Sequence, residues 1–208
     1  AEEAPLLTPW VKIAEQLGSF AGQLTDVPIR GVHMEYCGEV SRFNIKPMTA
    51  AAIAGVLRPK LQDMNLVSAG AIDKVRGVGV DELLCSEHGV YESYIKLTIK
   101  TQEYSRSVAG TVFSDGRPRI IQVRDINMDF EVTPHMMFVR KSDKPGFIGE
   151  FGQLMGDRGV NIATFNLGRE HAGGDAITVV ALDESVGEDV LHAVTALEHV
   201  VRAKRLEF

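Results

Sequence analysis

The run from Met136 to Asn166 constrains the fold more than any other part of this 208-residue chain. Met136-Met137-Phe138-Val139 is an apolar run of the length that suits a buried strand. It breaks at Arg140-Lys141-Ser142-Asp143-Lys144, a polar turn closed by Pro145-Gly146. Proline suits a first helical position, because its φ is already helical and its missing N–H would be unpaired there anyway. Phe147, Ile148, Phe151, Leu154 and Met155 then fall on one face at helical spacing, beside a stripe of Gly149, Gly152 and Gly156. Such a stripe lets a neighbouring backbone approach closely, at about 1 kcal/mol of helix propensity per glycine. Gly159 supplies a left-handed stop. Val160-Asn161-Ile162-Ala163 resumes as a strand.

This strand–turn–helix–strand unit opens at the helix N-terminus, whose unpaired N–H groups and positive dipole end suit a carboxylate. Asp143 stands just ahead of it and can accept hydrogen bonds from an ammonium group. Asn161, at the start of the next strand, has an amide that both donates and accepts. Together they describe a pocket for a free amino acid. The same residues also read as plain structure, with Asp143 capping the helix and Asn161 in a turn. At this point both readings stand.

The rest of the chain narrows the class. With 45% hydrophobic residues, 208 residues can bury one large core or two small ones. A net charge of −6 argues against a nucleic-acid partner, which calls for a basic face. No apolar run reaches transmembrane length, and no basic-then-apolar leader opens the chain, so no membrane partner is expected. Cys37 and Cys85 have no metal or redox spacing, which predicts reduced thiols in a soluble cytoplasmic protein. Opening on Ala1 rather than Met fits a trimmed or excised segment.

In chain order, Thr8-Pro9 predicts a helix start, with Leu7, Trp10, Val11, Ala14, Leu17, Ala21 and Leu24 on one face to about Gln23. A helix with one apolar stripe must dock on something, here the following domain. Val32–Val40 reads as a strand and Lys46–Val56 as an Ala-rich helix introduced by Pro47. Asp63–Ala69 reads as a short strand or turn, and Ala71–Val78 as a helix. Glu92–Lys100, Ser105–Phe113 and Arg119–Val123, continuing to about Phe130, read as β-rich. Apolar and polar residues alternate from Tyr94 to Lys100, so one face is buried and the other solvated. Ser114-Asp115-Gly116-Arg117-Pro118 is a turn between strands. Towards the end, Ile177–Leu182 is an apolar strand, and Val186, Val190, Leu191, Val194 and Leu197 share a helix face. Val200–Phe208 closes the sheet.

Asp143-Lys144-Pro145-Gly146 followed by Gly159-Val160-Asn161-Ile162 resembles the signature of the ACT domain, a small βαββαβ module that binds amino acids as effectors. Leu167-Gly168-Arg169-Glu170 and Gly173-Gly174-Asp175-Ala176 resemble one branch of it, the C-terminal regulatory region of the D-3-phosphoglycerate dehydrogenase family. Gly110-Thr111-Val112-Phe113 and Pro118-Arg119-Ile120-Ile121 resemble the allosteric substrate-binding domain of that family's long form. The resemblance implies an α+β chain of two domains. Residues 1–28 would be a connecting helix, 29–133 the substrate-binding-like domain and 134–208 a ferredoxin-like ACT domain. It also implies binding of L-serine or another small amino acid, feedback inhibition, a homo-oligomer and a cytoplasmic location. Asp143 would receive the effector ammonium, Asn161 would reach it across a subunit interface, and the amides of Gly146, Phe147 and Ile148 would hold its carboxylate. Lys141 would also belong to the effector site, at a position where the family often has an aromatic residue, histidine or asparagine. The upstream domain would take a phosphate-bearing anion, with Arg76, Arg117, Arg119 and Lys144 as candidates by charge.

Chemistry of its own is not expected from this segment. No G-x-G-x-x-G lies between a strand and a helix, so NAD belongs to the parent enzyme and no cofactor or metal is expected here. The six histidines include no His-x-x-x-His pair, and no acidic residue is expected to be placed to orient one as a base. Two other classes stay open: a dimerisation module without a ligand, and a subunit of a serine or threonine deaminating enzyme.

Overall fold

The computed structural model describes residues 4–62, 77–87 and 89–208. The chain divides into two compact units, Ala1–Asp125 and Ile126–Phe208, each mixing helices with strands in an α+β fold. The first holds α1 (Ala4–Gln23), β1 (Gly31–Gly38), α2 (Lys46–Gln62), β2 (Gly79–Cys85), β3 (Ser93–Lys100), β4 (Ser105–Val112) and β5 (Pro118–Val123). Its strands lie in the order β2-β1-β3-β4-β5. The alternation expected along β3 is present, with Ile95, Leu97 and Ile99 buried and the residues between them half-buried. Met34 lies opposite Leu97, and Leu97 opposite Val108, so one apolar stripe crosses three strands. Helix α1 lies over β3, β4 and β5.

Several sequence expectations shift here. Helix α1 starts at Ala4, four residues before Thr8, and carries Pro9 inside it. The missing proline N–H removes one intrahelical bond without stopping the turn before it. The buried face includes Ile13 and Phe20, which the expected stripe omitted, while Val11 is half-buried. Helix α2 runs past Val56 to Gln62. The segment expected to continue from Val123 to Phe130 breaks at Arg124 (φ 51) and Asp125 (φ 66), because two left-handed residues turn the chain. Strand β2 was not foreseen. Asp63–Ala69 and most of Ala71–Val78 lie outside the described residues, as do Arg76 and His88.

The cysteines also differ from expectation. Cys37 on β1 and Cys85 on β2 are joined as a disulfide, with Cα atoms 4.6 Å apart. They are direct partners in the parallel β1–β2 register. A separation of 48 residues holds no trace of that pairing, which strand register alone creates.

The second unit opens with β6 (Ile126–Phe130) and continues as β7 (His135–Ser142), α3 (Phe147–Asp157), β8 (Ile162–Arg169), β9 (Asp175–Leu182), α4 (Glu188–Thr195) and β10 (Val200–Glu207). From β7 onward this is the βαββαβ order. Its four strands lie as β10-β7-β9-β8, every neighbour antiparallel. Met137 and Val139 of β7, Val180 and Leu182 of β9, Phe147, Phe151 and Met155 of α3, and Val190 and Val194 of α4 form one core. Ile148, expected on the apolar face of α3, instead points outward and is 59% exposed. A side chain on Gly149, Gly152 or Gly156 would meet nothing within 4 Å, so among the described residues no backbone uses that stripe.

Close helix contact occurs instead in the first unit. A Cβ on Gly22 would come within 2.5 Å of the Val56 carbonyl, and Gly18 and Gly55 would clash in the same way with Ala52 and Glu15. Glycine is disfavoured in helix interiors, so propensity alone would make Gly18→Ala stabilising by about 0.5–1 kcal/mol. Overpacking reverses the sign, and we expect a loss of about 1–3 kcal/mol. Urea unfolding decides between the two, and a raised midpoint would contradict this helix crossing.

Candidate functional site

The β7–α3 turn forms one wall of a hollow of about 330 Å³, lined by Lys141, Asp143, Lys144, Pro145, Gly146, Phe147, Ile148, Gly149, Leu167 and Arg169. The turn depends on Gly146, whose φ of 100° few other residues adopt. Gly146 is the N-cap of α3 and no side chain caps the helix, so Asp143 is not the cap. The first-turn amides of Phe147, Ile148 and Gly149 have no carbonyl four residues earlier within the helix. They border the same hollow.

Asp143 is held from the β8–β9 turn. Its Oδ2 accepts a hydrogen bond from the Gly173 amide at 3.1 Å and another from Arg169 Nη1 at 3.1 Å. Its own amide donates to the Gly174 carbonyl at 2.8 Å. The Gly173 bond first, and Arg169 after it, hold its carboxyl below the usual carboxylate range. Lys141 lies at the end of the core-facing stripe Met137–Val139–Lys141 and is only 2% exposed. Burial pushes its ammonium pKa down, partly offset by Asp143. Its Nζ donates to the Ser142 carbonyl at 3.3 Å and sits 4.9 Å from the centre of the Phe147 ring.

Asn161 does not line this hollow. It lies beyond the C-terminal end of α3, exposed, where its Nδ2 donates to Asp183 Oδ2 at 2.6 Å. Lys141, Asp143, Gly146, Phe147 and Ile148 are therefore brought together within one chain, and Asn161 is not.

Of the charge candidates upstream, Arg76 lies outside the described residues. Arg117 sits in the β4–β5 turn, its amide bonded to Asp115 Oδ1, and the Arg119 guanidinium lies 5.0 Å from the Phe113 ring centre. Lys144 borders the hollow of the second unit. A different set converges in the first unit, around a hollow of about 440 Å³. Its lining includes Lys96, Arg106 and Arg124, the hydroxyl-bearing residues Thr98, Tyr104, Ser105 and Ser107, and the acids Glu35 and Asp125. Thr98 is the register partner of Ser107, and Glu35 of Lys96, so all four lie on the sheet face opposite the apolar stripe. Tyr104 also supports Arg106, whose guanidinium carbon lies 3.7 Å from the ring centre. Sequence reasoning missed this set, although Lys96 and Thr98 were legible as the solvated positions of β3.

Four histidines have acidic neighbours after all, His171 and His199 beside the glutamates that precede them, Glu170 and Glu198. His33 Nδ1 is 2.9 Å from Asp81 Oδ2, and His135 Nδ1 is 2.6 Å from Glu207 Oε2. Strand pairing brings these acids in from far along the chain, and neither pair borders the two hollows. Among the described residues, no three His, Cys, Asp or Glu side chains group so as to hold a metal, and no helix is long and apolar enough to cross a membrane.

The second unit has the βαββαβ architecture of a small regulatory module, and the first gathers cationic residues around a hollow of its own. Comparison with known proteins agrees. The D-3-phosphoglycerate dehydrogenase intervening domain matches residues 6–124, and the ACT domain matches residues 135–199. The chain belongs to the D-3-phosphoglycerate dehydrogenase intervening-domain family and carries an ACT domain after it. It is 28% identical to the D-3-phosphoglycerate dehydrogenase of Bacillus subtilis over 99% of its own length and 39% of that protein. The enzymes of that name from Methanocaldococcus jannaschii and Synechocystis are 30% and 32% identical, over 96% and 91% of this chain. The chain spans 38% and 34% of those two relatives, so in all three it matches the C-terminal regulatory part and not the catalytic domain.

Protonation tests the Asp143 anchor. A carboxylate whose pKa is lowered in the fold stabilises it above the ordinary value and loses that contribution as pH falls through the lowered one. Asp143→Asn should therefore flatten the acid-side fall in melting temperature below about pH 4. An unchanged acid profile would show that the carboxylate does not hold the turn.

Proposed function

We propose that this chain is the regulatory region of an NAD-dependent D-3-phosphoglycerate dehydrogenase and that its ACT unit senses a free α-amino acid. L-serine is the effector that the resemblance names, and its binding would pass feedback inhibition to the catalytic part of the enzyme. One observation carries this reading: a carboxylate anchored from a neighbouring turn faces the first-turn amides of α3 across one small hollow. An effector ammonium would go to Asp143, whose Oδ2 is engaged by Gly173 and Arg169, leaving Oδ1 to accept. Its carboxylate would take the amides at Gly146, Phe147 and Ile148. Asn161 reaches such a ligand only from a second copy, so the reading includes a homo-oligomer formed through the ACT sheet. A cytoplasmic location belongs to the same proposal.

Upstream, the hollow around Lys96, Arg106 and Arg124 supports a second ligand, a phosphate-bearing anion. Guanidinium and ammonium donors beside several hydroxyls suit the three acceptor oxygens of a phosphate group. This set stands beside Arg76, Arg117, Arg119 and Lys144, the candidates by charge.

Calorimetry tests the effector site. Asp143→Ala should weaken amino-acid binding about tenfold to a hundredfold, as for other charged hydrogen bonds, and Asn161→Ala about fivefold. Unchanged affinity in Asp143→Ala would overturn the site. Light scattering showing only monomer would count against Asn161 acting across an interface. For the upstream hollow, the double variant Lys96→Met/Arg106→Met should abolish the thermal shift caused by 3-phosphoglycerate. A retained shift would place that anion elsewhere.

A further inference from the structure

Position 141 ends a stripe of β7 residues that face the helices. Its two predecessors, Met137 and Val139, are fully buried in the core. Lys141 continues the stripe with a charged amine that is 2% exposed, yet the residue borders the hollow beside Asp143. Among the described residues, its ammonium has one hydrogen-bond acceptor, the Ser142 carbonyl, and one aromatic neighbour, Phe147. Asp143 acts on it only through space, and Oδ2 of that carboxylate is already taken by Gly173 and Arg169. Lys141 is thus a buried cation without an ion-pair partner. The other charged groups around the hollow are Lys144 and Arg169, making three cations to one carboxylate.

A zwitterionic amino acid does not mend that imbalance. Its ammonium matches Asp143 and its carboxylate matches the helix amides, so it enters with no net charge. A hydroxyl side chain would give Lys141 a neutral acceptor only. Buried charges are stabilised by a counter-charge with good geometry far more than by a neutral contact.

We infer that this pocket selects an α-amino acid whose side chain carries a second negative charge, a carboxylate or a phosphate, and that Lys141 sets the preference. The inference rests on the amino-acid reading of the site but not on L-serine being the ligand. The side-chain anion pairs with Lys141 at the inner end of the hollow, and Lys144 and Arg169 add to the attraction from its rim.

The test is calorimetry of the whole chain with L-serine, L-aspartate, O-phospho-L-serine and inorganic phosphate, repeated on Lys141→Met. Methionine keeps the lysine side chain's length short of the terminal nitrogen and continues the apolar stripe, so the variant should fold and melt no lower than the parent. In the parent, L-aspartate or O-phospho-L-serine should bind at least about tenfold more tightly than L-serine, the size of one charge-assisted contact. The tighter of the two tells a carboxylate from a phosphate. In Lys141→Met the preference for the acidic ligands over L-serine should vanish. Tightest binding of L-serine by the parent would overturn the inference and leave the amino-acid site intact. An acidic preference that survives in Lys141→Met would overturn the role of Lys141. Inorganic phosphate binding as tightly as O-phospho-L-serine would make this a general anion site and overturn the selectivity. No binding of any amino acid would overturn both the inference and the reading beneath it.

Discussion

The hydrogen bonds that tie Asp143 to the β8–β9 turn are what the second unit's candidate site depends on. Asp143 is bonded at both its backbone and its side chain, to Gly174 on one side and to Gly173 and Arg169 on the other. These contacts join two loops that strand pairing has already brought close, since Ser142 lies opposite Asp175. The turn after β7 is thereby positioned, and with it the left-handed Gly146 and the first amides of α3. Charge-assisted hydrogen bonds of this kind are stronger than neutral ones and hold a loop at little cost in buried surface.

The first unit reaches a comparable result by different means. The alternation of β1 and β3 places charged and hydroxyl side chains on the face opposite the apolar stripe. Glu35, Lys96, Thr98 and Ser107 meet because cross-strand partners point to the same side. On the other side, the same alternation packs Met34, Leu97 and Val108 beneath the helices. One pattern of residues serves both the core and the candidate anion site. The helix pair above it relies on close approach at Gly18, Gly22 and Gly55.

Lys141 shows how small a departure changes the character of a pocket. The position is buried by the fold, whatever residue stands there, because it shares a face with Met137 and Val139. An amine at that place brings a charge into a region where solvent cannot compensate it. On the proposed reading, an anionic side chain of the ligand balances it. Arg169, by contrast, is more than half exposed and already paired with Asp143, so it contributes mainly to the rim.

What the sequence by itself determined was local. The Pro145-Gly146 break, the helical spacing of Phe147, Phe151 and Met155 and the left-handed Gly159 gave the ACT turn and helix, because each depends on neighbours a few residues away. The alternation in β3 was legible for the same reason. Only the tertiary structure decided which distant residues meet. It paired Cys37 with Cys85 and set carboxylates beside His33 and His135. It gathered Lys96, Arg106 and Arg124, and placed Asn161 away from Asp143. Each of those outcomes follows from strand order and register, which depend on how whole elements pack and which no short stretch of sequence encodes.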